Sequence, residues 1–297
     1  MSESNFVSGF VSIIGMPNAG KSTLYNHLLG EALAIVNPKA QTTRHRILGV
    51  KNGPDYQIVY SDTPGILYKT SYQMHEKMMH FVNESVKDSD VLVLMLDIHG
   101  KEVTEEMREK FNQSKARKIV AVNKIDTSNQ TELESALLQV KELYQADVYL
   151  PISALKGFET DTLEKYIVSF LPKHPPYFPE DQLTDRSERF FVNEIIRNQI
   201  LSLYSEEIPY ACEVLTLSFK EEPNIIRMSC EIIVERDSQK PIIIGKGGAG
   251  IKRLGTNARL DLEKFFGKKV FIELFVKVRE DWRNNKNMLK QFGYEHE

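Results

Sequence analysis

An apolar run, Phe10-Val11-Ser12-Ile13-Ile14, breaks at Gly15-Met16-Pro17-Asn18-Ala19-Gly20-Lys21-Ser22 and gives way to Thr23-Leu24-Tyr25-Asn26-His27-Leu28-Leu29, whose apolar residues recur at helical spacing. The unbroken run suits a buried parallel strand. Strand, glycine loop and helix in that order commit the chain to a β/α unit with the loop at the strand's C-terminal end. Gly15 and Gly20 let the backbone turn its N–H groups towards a di- or triphosphate, and the helix N-terminus adds positive partial charge. Lys21 is spaced to reach the β- and γ-phosphates, and the Ser22 hydroxyl to bind Mg²⁺. Eight such residues can also arise by chance in a loop, but the motif favours nucleotide binding, and the strands and loops downstream strengthen that reading.

The same rhythm repeats. Ala34 to Arg46 is a polar loop ahead of a strand over Arg46 to Lys51, and the hydroxyl of Thr42 or Thr43 can sit on the Mg²⁺. The strand Tyr56 to Tyr60 delivers Ser61-Asp62-Thr63-Pro64-Gly65, where Asp62 can hold a metal-bound water and the Gly65 N–H can face a γ-phosphate. After the strands Val91 to Leu96 and Lys118 to Val122 comes Asn123-Lys124-Ile125-Asp126. The Asp126 carboxylate can accept two hydrogen bonds from guanine N1–H and its exocyclic amine, a donor pair that adenine lacks. Lys124 is expected to lay its stem over the ring and Asn123 to tie this loop to the phosphate loop. A strand over Val148 to Leu150 brings Ser153-Ala154-Leu155, whose backbone can meet guanine O6. Each motif follows the next strand, and in a doubly wound sheet those strand ends form one crevice. The expectation is an α/β P-loop GTPase domain on a mostly parallel doubly wound sheet, its GTP site built from Gly15 to Ser22, Asp62-Thr63-Pro64-Gly65-Ile66, Asn123 to Asp126 and Ser153 to Leu155.

A helix over Glu159 to Phe170 ends at Leu171-Pro172-Lys173-His174-Pro175-Pro176-Tyr177-Phe178-Pro179-Glu180, which reads as an extended, fairly stiff connector. The expected boundaries are a GTP-binding domain over 1–171, a linker over 172–186 and a second domain over 187–297. There the pattern changes to helix (Glu188 to Tyr204), a hairpin of strands (Ala211 to Lys220 and Ile225 to Glu235), a short helix (Pro241 to Ile244), Gly245-Lys246-Gly247-Gly248, a helix to about Phe266 and a strand over Val270 to Val278. That α+β order resembles a type II KH domain. Its Gly-x-x-Gly loop would clamp a single-stranded RNA backbone, with Lys246, Lys252 and Arg253 neutralising phosphate and Ile242, Ile244 and Ile251 forming an apolar floor for bases. From Lys246 to Lys269 there are seven Lys/Arg against Asp261 and Glu263, a local charge of +5 in a chain of net −3. The competing reading is a glycine-rich turn beside a solvated basic helix face.

No run approaches the ~20 apolar residues of a membrane span, and residues 1–5 carry no basic-then-apolar leader, so a cytoplasmic location is expected. Cys212 and Cys230 lack metal-ligand spacing and are expected as reduced thiols, half-buried in strands.

Met16-Pro17-Asn18 and Thr42-Thr43-Arg44-His45-Arg46 make the first domain similar to the Era family of translation-factor-like P-loop GTPases, and the resemblance runs on to the tail Val276-Lys277-Val278-Arg279-Glu280-Asp281-Trp282-Arg283-Asn284. It implies Thr43, rather than Thr42, as the Mg²⁺ ligand beside Ser22 and, through water, Asp62, with Lys21, Thr43 and Gly65 carrying catalysis. Where most Ras-like GTPases have a water-aligning Gln, this chain has Ile66, which implies slow intrinsic hydrolysis. In related GTPases the Asn of Gly-x-Pro-Asn helps bind K⁺; Asn18 is either that ligand or a turn-stabilising amide. The resemblance further implies binding to the 3′ end of small-subunit ribosomal RNA, a part in 30S-type subunit assembly, and peripheral contact with the inner face of the membrane. The alternative is a membrane or cell-cycle signalling GTPase whose second domain docks proteins or anionic lipid.

Overall fold

The computed structural model describes residues 6–294, so the leaderless opening expected of residues 1–5 lies outside the described residues. The chain divides into two compact units: Met1–Thr70 with His75–Asp185, and Ser71–Met74 with Arg186–Glu297.

The first unit runs β1 (Val7–Gly15), α1 (Lys21–Leu29), β2 (Ile47–Asn52), β3 (Tyr56–Asp62), α2 (Gln73–Asp88), β4 (Val91–Asp97), α3 (Glu105–Gln113), β5 (Arg117–Asn123), α4 (Gln130–Leu143), β6 (Val148–Pro151) and α5 (Thr160–Phe170). Its six-stranded sheet has the order β2-β3-β1-β4-β5-β6. All pairs are parallel except β2, which returns antiparallel along β3. The apolar run of β4 is buried on both faces, as a parallel strand between helix layers must be, and only its last residue, Asp97, reaches partial exposure. Helix starts follow local chemistry. The Thr104 hydroxyl accepts from Met107 N ahead of α3, and Asn129 and Glu132 form a reciprocal capping box at α4. Because β1 lies between β3 and β4, the chain crosses to opposite sides of it, and the loop after β1 opens at the point where strand order reverses.

The proline-rich stretch is extended but does not hang free. The fully buried Gln57 amide on β3 accepts from Tyr177 N (2.7 Å) and Phe178 N (3.0 Å) and donates to Phe178 O (2.8 Å). Val50 N then donates to Leu183 O, and Leu48 N to the Asp185 carboxylate. Prolines cannot donate to such a ladder, so a side-chain amide does the pairing.

The second unit runs α6 (Glu188–Leu203), α7 (Ile208–Ala211), β7 (Glu213–Glu221), β8 (Ile225–Val234), α8 (Lys240–Ile244), α9 (Ala249–Phe266), β9 (Lys269–Val278) and α10 (Lys286–Gln291). β8 is central, antiparallel to β7 and parallel to β9. Val192, Ile196 and Ile200 of α6 and Leu254, Ala258 and Leu262 of α9 close one face of the sheet over Met228, Cys230 and Ile232. Both cysteines are wholly buried, where half-burial was expected, and Cys212 caps α7 rather than lying in a strand. Burial pushes the Cys230 thiol up to about 11, which leaves it protonated and unreactive. The tail adds its own anchor: the buried Trp282 donates its indole N–H to Ala211 O (2.9 Å) and meets Phe292 edge-on.

Candidate functional site

The C-terminal ends of β1, β3, β5 and β6 converge on one cleft of about 550 Å³ in the first unit. Steric necessity explains its glycines. A Cβ on Gly20 (φ 99°) would stand 2.4 Å from the Asn123 amide nitrogen, and one on Gly15 would stand 2.2 Å from Met95 O. Gly65 lies so close to Pro17 that a Cβ would come within 2.8 Å of its backbone, which brings the loop after β3 against the loop after β1.

At the phosphate end, Lys21 is buried and donates to Gly15 O (3.1 Å) and Met16 O (2.9 Å). Ser22 Oγ and Thr43 Oγ1 lie 2.9 Å apart, and both donate to Asp62 Oδ2, at 2.8 and 3.1 Å. Thr42 instead turns its hydroxyl back to Lys39 O inside the loop. Of the two threonines, then, the structure brings Thr43 to Ser22 and Asp62. Burial pulls the Lys21 ammonium down to about 8 although Asp62 holds it up. Burial also pushes the Asp62 carboxyl up to about 6, against the Lys21 charge and the Ser22 and Thr43 hydrogen bonds. Asp62 Oδ1 is buried with no hydrogen-bond partner among the described residues. Two hydroxyls, a carboxylate and an orphaned carboxylate oxygen make a hard, all-oxygen donor set that fits Mg²⁺.

At the opposite end, Asn123 donates to Ala19 O (2.8 Å) and accepts from Ala154 N (2.9 Å), so one buried amide fastens three loops. Ser153 Oγ donates to Asp126 Oδ1 (2.6 Å), fixing the carboxylate at the rim. Lys124 holds a left-handed backbone (φ 66°) and pairs with Asp97 at 2.6 Å, while Leu155, which lines the cleft, stands 74% exposed.

Several of the residues expected at the site lie behind it. Thr63 donates to Ile13 O and secures the strand ends. Ile66 is buried in the core, and only its N–H approaches the loop, donating to Gly15 O. Met16 likewise packs on that core and contributes only its carbonyl. Asp97 and the stretch Ile35 to Pro38, which also lines the cleft, were not anticipated from the sequence. An Asp closing a buried strand was the available signal for the first; the second carried none.

In the second unit, Gly245, Gly247 and Gly248 all have left-handed φ (73°, 58° and 81°). A Cβ on Gly245 would strike Gly250 N at 2.6 Å, whereas Gly247 and Gly248 have nothing within 4 Å. Lys246, Lys252 and Arg253 are exposed, and among the described residues no carboxylate pairs with them. The basic count overstates the free charge: Arg259 and Lys269 engage Glu263, and Lys268 engages Glu221. Ile244 and Ile251 are half-buried, while Ile242 is 51% exposed and stands apart from that floor.

Residues 10–124 match a family described as 50S ribosome-binding GTPase, and residues 207–283 match the KH domain family. GTPase Era of Coxiella burnetii is 42% identical, with 97% of this chain and 98% of that protein covered. GTPase Era of Alkaliphilus metalliredigens is 44% identical over 98% and 100%. A solved structure of Era in complex with MgGDPNP and nucleotides 1506–1542 of 16S ribosomal RNA superposes with a TM-score of 0.93 at 38% identity, covering 98% of this chain and all of that one. An Aquifex aeolicus Era variant bound to GDP·AlF4⁻ gives 0.91 at 37% identity with the same coverage. With that identity sustained from the phosphate loop through the glycine loop to the tryptophan-anchored tail, the chain belongs to the Era family of GTPases.

Proposed function

We propose that this chain is a GTP-driven switch that binds the 3′ end of small-subunit ribosomal RNA through its KH unit and assists assembly of the small ribosomal subunit. The convergence of Lys21, Ser22, Thr43 and Asp62 at one end of a cleft whose other end is fixed by Asn123, Asp126 and Ser153 carries the reading. A relative captured with both a GTP analogue and a 16S fragment supports the RNA half.

Lys21 exchanges its hold on Gly15 O and Met16 O for the β- and γ-phosphates. Ser22, Thr43 and, through a water, Asp62 would hold Mg²⁺, which would supply charge neutralisation at the phosphates. Thr43 and the Gly65 N–H report the γ-phosphate, and hydrolysis releases both loops. Asp126 selects guanine, with Lys124 and Leu155 on the ring and the Ala154 backbone at O6. Ile66 is buried, so no side chain of the motif set aligns the attacking water and unaided turnover is slow. The Asn18 amide, on the cleft rim in a left-handed turn, is the group proposed to hold K⁺ beside the phosphates; equal turnover in K⁺ and Na⁺ buffers sinks that assignment.

We place this activity in the cytoplasm. Among the described residues no helix is long and apolar enough to cross a membrane, and contact with the inner face would draw on the same basic surface as RNA. The test is to titrate single-stranded RNA from the 3′ end of small-subunit ribosomal RNA in K⁺ buffer with GDP or a non-hydrolysable GTP analogue, following turnover in parallel. Tighter binding in the GTP-like state with faster hydrolysis is expected. Equal binding in both states, or none, overturns the switch.

A further inference from the structure

The turn after β4 belongs to none of the nucleotide motifs, yet it grips the guanine loop at both ends. Asp97 Oδ2 accepts from the Lys124 ammonium at 2.6 Å, while its other oxygen accepts from His99 N at 3.1 Å, which holds the carboxylate in one orientation. His99 Nε2 lies 3.2 Å from Thr127 O, and because a carbonyl only accepts, that nitrogen carries the proton. Backbone pairing continues the grip: Asp97 stands opposite Asn123 in the β4–β5 register, and Ile98 N donates to Asn123 O. The turn itself is tight, for a Cβ on Gly100 would meet the Asp97 side chain at 2.7 Å.

We infer that Asp97 is a positioning residue for guanine binding: by anchoring the Lys124 ammonium it fixes the lysine stem as one wall of the base slot, with Asp126 reading the base edge and Leu155 exposed on the neighbouring loop. A free lysine stem has many rotamers and must be ordered each time a base enters. Pinned in advance, it loses little on binding, an advantage of roughly 2- to 12-fold in affinity per immobilised side chain. The pair is half-exposed, at 39% for Lys124 and 20% for Asp97, so its contribution to fold stability is small and its effect falls on the ligand. His99 holds the far end of the same loop, where the short helical turn Ile125–Thr127 comes after Lys124.

The inference rests on the guanine reading of this cleft, and the test separates the two. Full-length wild type, Asp97→Ala, Asp97→Asn and His99→Ala are compared by GDP affinity and dissociation rate with a fluorescent analogue, by KM and kcat for GTP and for ITP, whose base lacks the exocyclic amine, and by Tm. Asp97→Ala is expected to raise Kd and KM about three- to ten-fold through faster release, with kcat, Tm and the GTP-to-ITP ratio unchanged. Asp97→Asn, which keeps the contact to His99 N, should fall between it and the wild type. Unchanged Kd in both Asp97 variants overturns the inference. So does a Kd loss accompanied by a falling GTP-to-ITP ratio, which would show that Asp126 has moved and that Asp97 is merely structural. Wild type that fails to bind GDP overturns the guanine reading itself, before any variant is made.

Discussion

Two glycine loops in this chain, each proposed to meet phosphate, are built in opposite ways. Around the loop after β1, the main polar groups have prior engagements: Lys21 with two carbonyls, Ser22 and Thr43 with Asp62, Asn123 with two backbone groups. Its glycines are forced by neighbours at 2.2 to 2.8 Å. In the loop before α9, Lys246 is open to solvent, and Gly247 and Gly248 have no atom within 4 Å of a would-be Cβ. The key side chains of the first site are buried and pre-organised, so each group is worth much and tolerates little. The second is exposed and electrostatic, so each group is worth less and the whole depends on salt.

The sharpest break of that contrast is Lys21→Ala, expected to cut GDP and GTP affinity on the order of 10²- to 10³-fold while leaving the RNA affinity of the nucleotide-free protein unchanged. A loss below ten-fold in a fluorescent-GDP titration would erase the distinction. Next is pH. Lys21 sheds its proton above about 8 and Asp62 gains one below about 6, so affinity for Mg²⁺·GTP should be highest between those values and fall on either side.

Asp62 also links pH to stability. Its carboxyl lies above the ordinary 3.8, so its contribution is present below 3.8 and lost as pH rises through about 6. Asp62→Asn should therefore raise the stability of the nucleotide-free protein at pH 7, by up to about 3 kcal/mol, and not at pH 3.5, while abolishing Mg²⁺-dependent GTP binding. Thermal melts at the two pH values decide it.

Third, Gly20→Ala should destroy nucleotide binding, because its Cβ meets Asn123, whereas Gly247→Ala meets nothing and bears only the left-handed strain of about 1–2 kcal/mol, read as a several-fold weaker RNA affinity. Equal effects would mean the two loops share one logic. The smallest effect is on salt dependence. Lys246→Glu should weaken RNA of every sequence, and each cation removed from Lys246, Lys252 or Arg253 should flatten the log affinity against log salt slope by about 0.7.

How far the sequence could be read obeys the same divide. Unbroken apolar runs such as Val91 to Leu96 admit one environment, a strand covered on both faces, and a motif at the end of each leaves few other topologies. The phosphate loop, the Asp62 turn and the Asn123 loop were legible for that reason. Adjacent Thr42 and Thr43 were not separable by spacing, since either hydroxyl fits the loop; only the fold turns one inward. Ile66 is named by the motif, but its side chain belongs to the core. The proline stretch announces an extended chain and is silent on what it lies against, because its partner, Gln57, sits in the middle of an ordinary strand. The basic count past Lys246 ignored acids elsewhere in the chain, Glu221 among them, that return to neutralise it. The short α7 and α10 escaped because four to six residues carry too little periodicity to register.

The carbonyls that receive Lys21 have one more consequence. A cation left bare in a vacated pocket would make the empty protein costly and hold the product in place by default. Here the ammonium folds back onto Gly15 O and Met16 O, so the lysine keeps hydrogen-bond partners without a phosphate. Nucleotide binding therefore exchanges two carbonyl contacts of Lys21 for phosphate contacts, and release returns them.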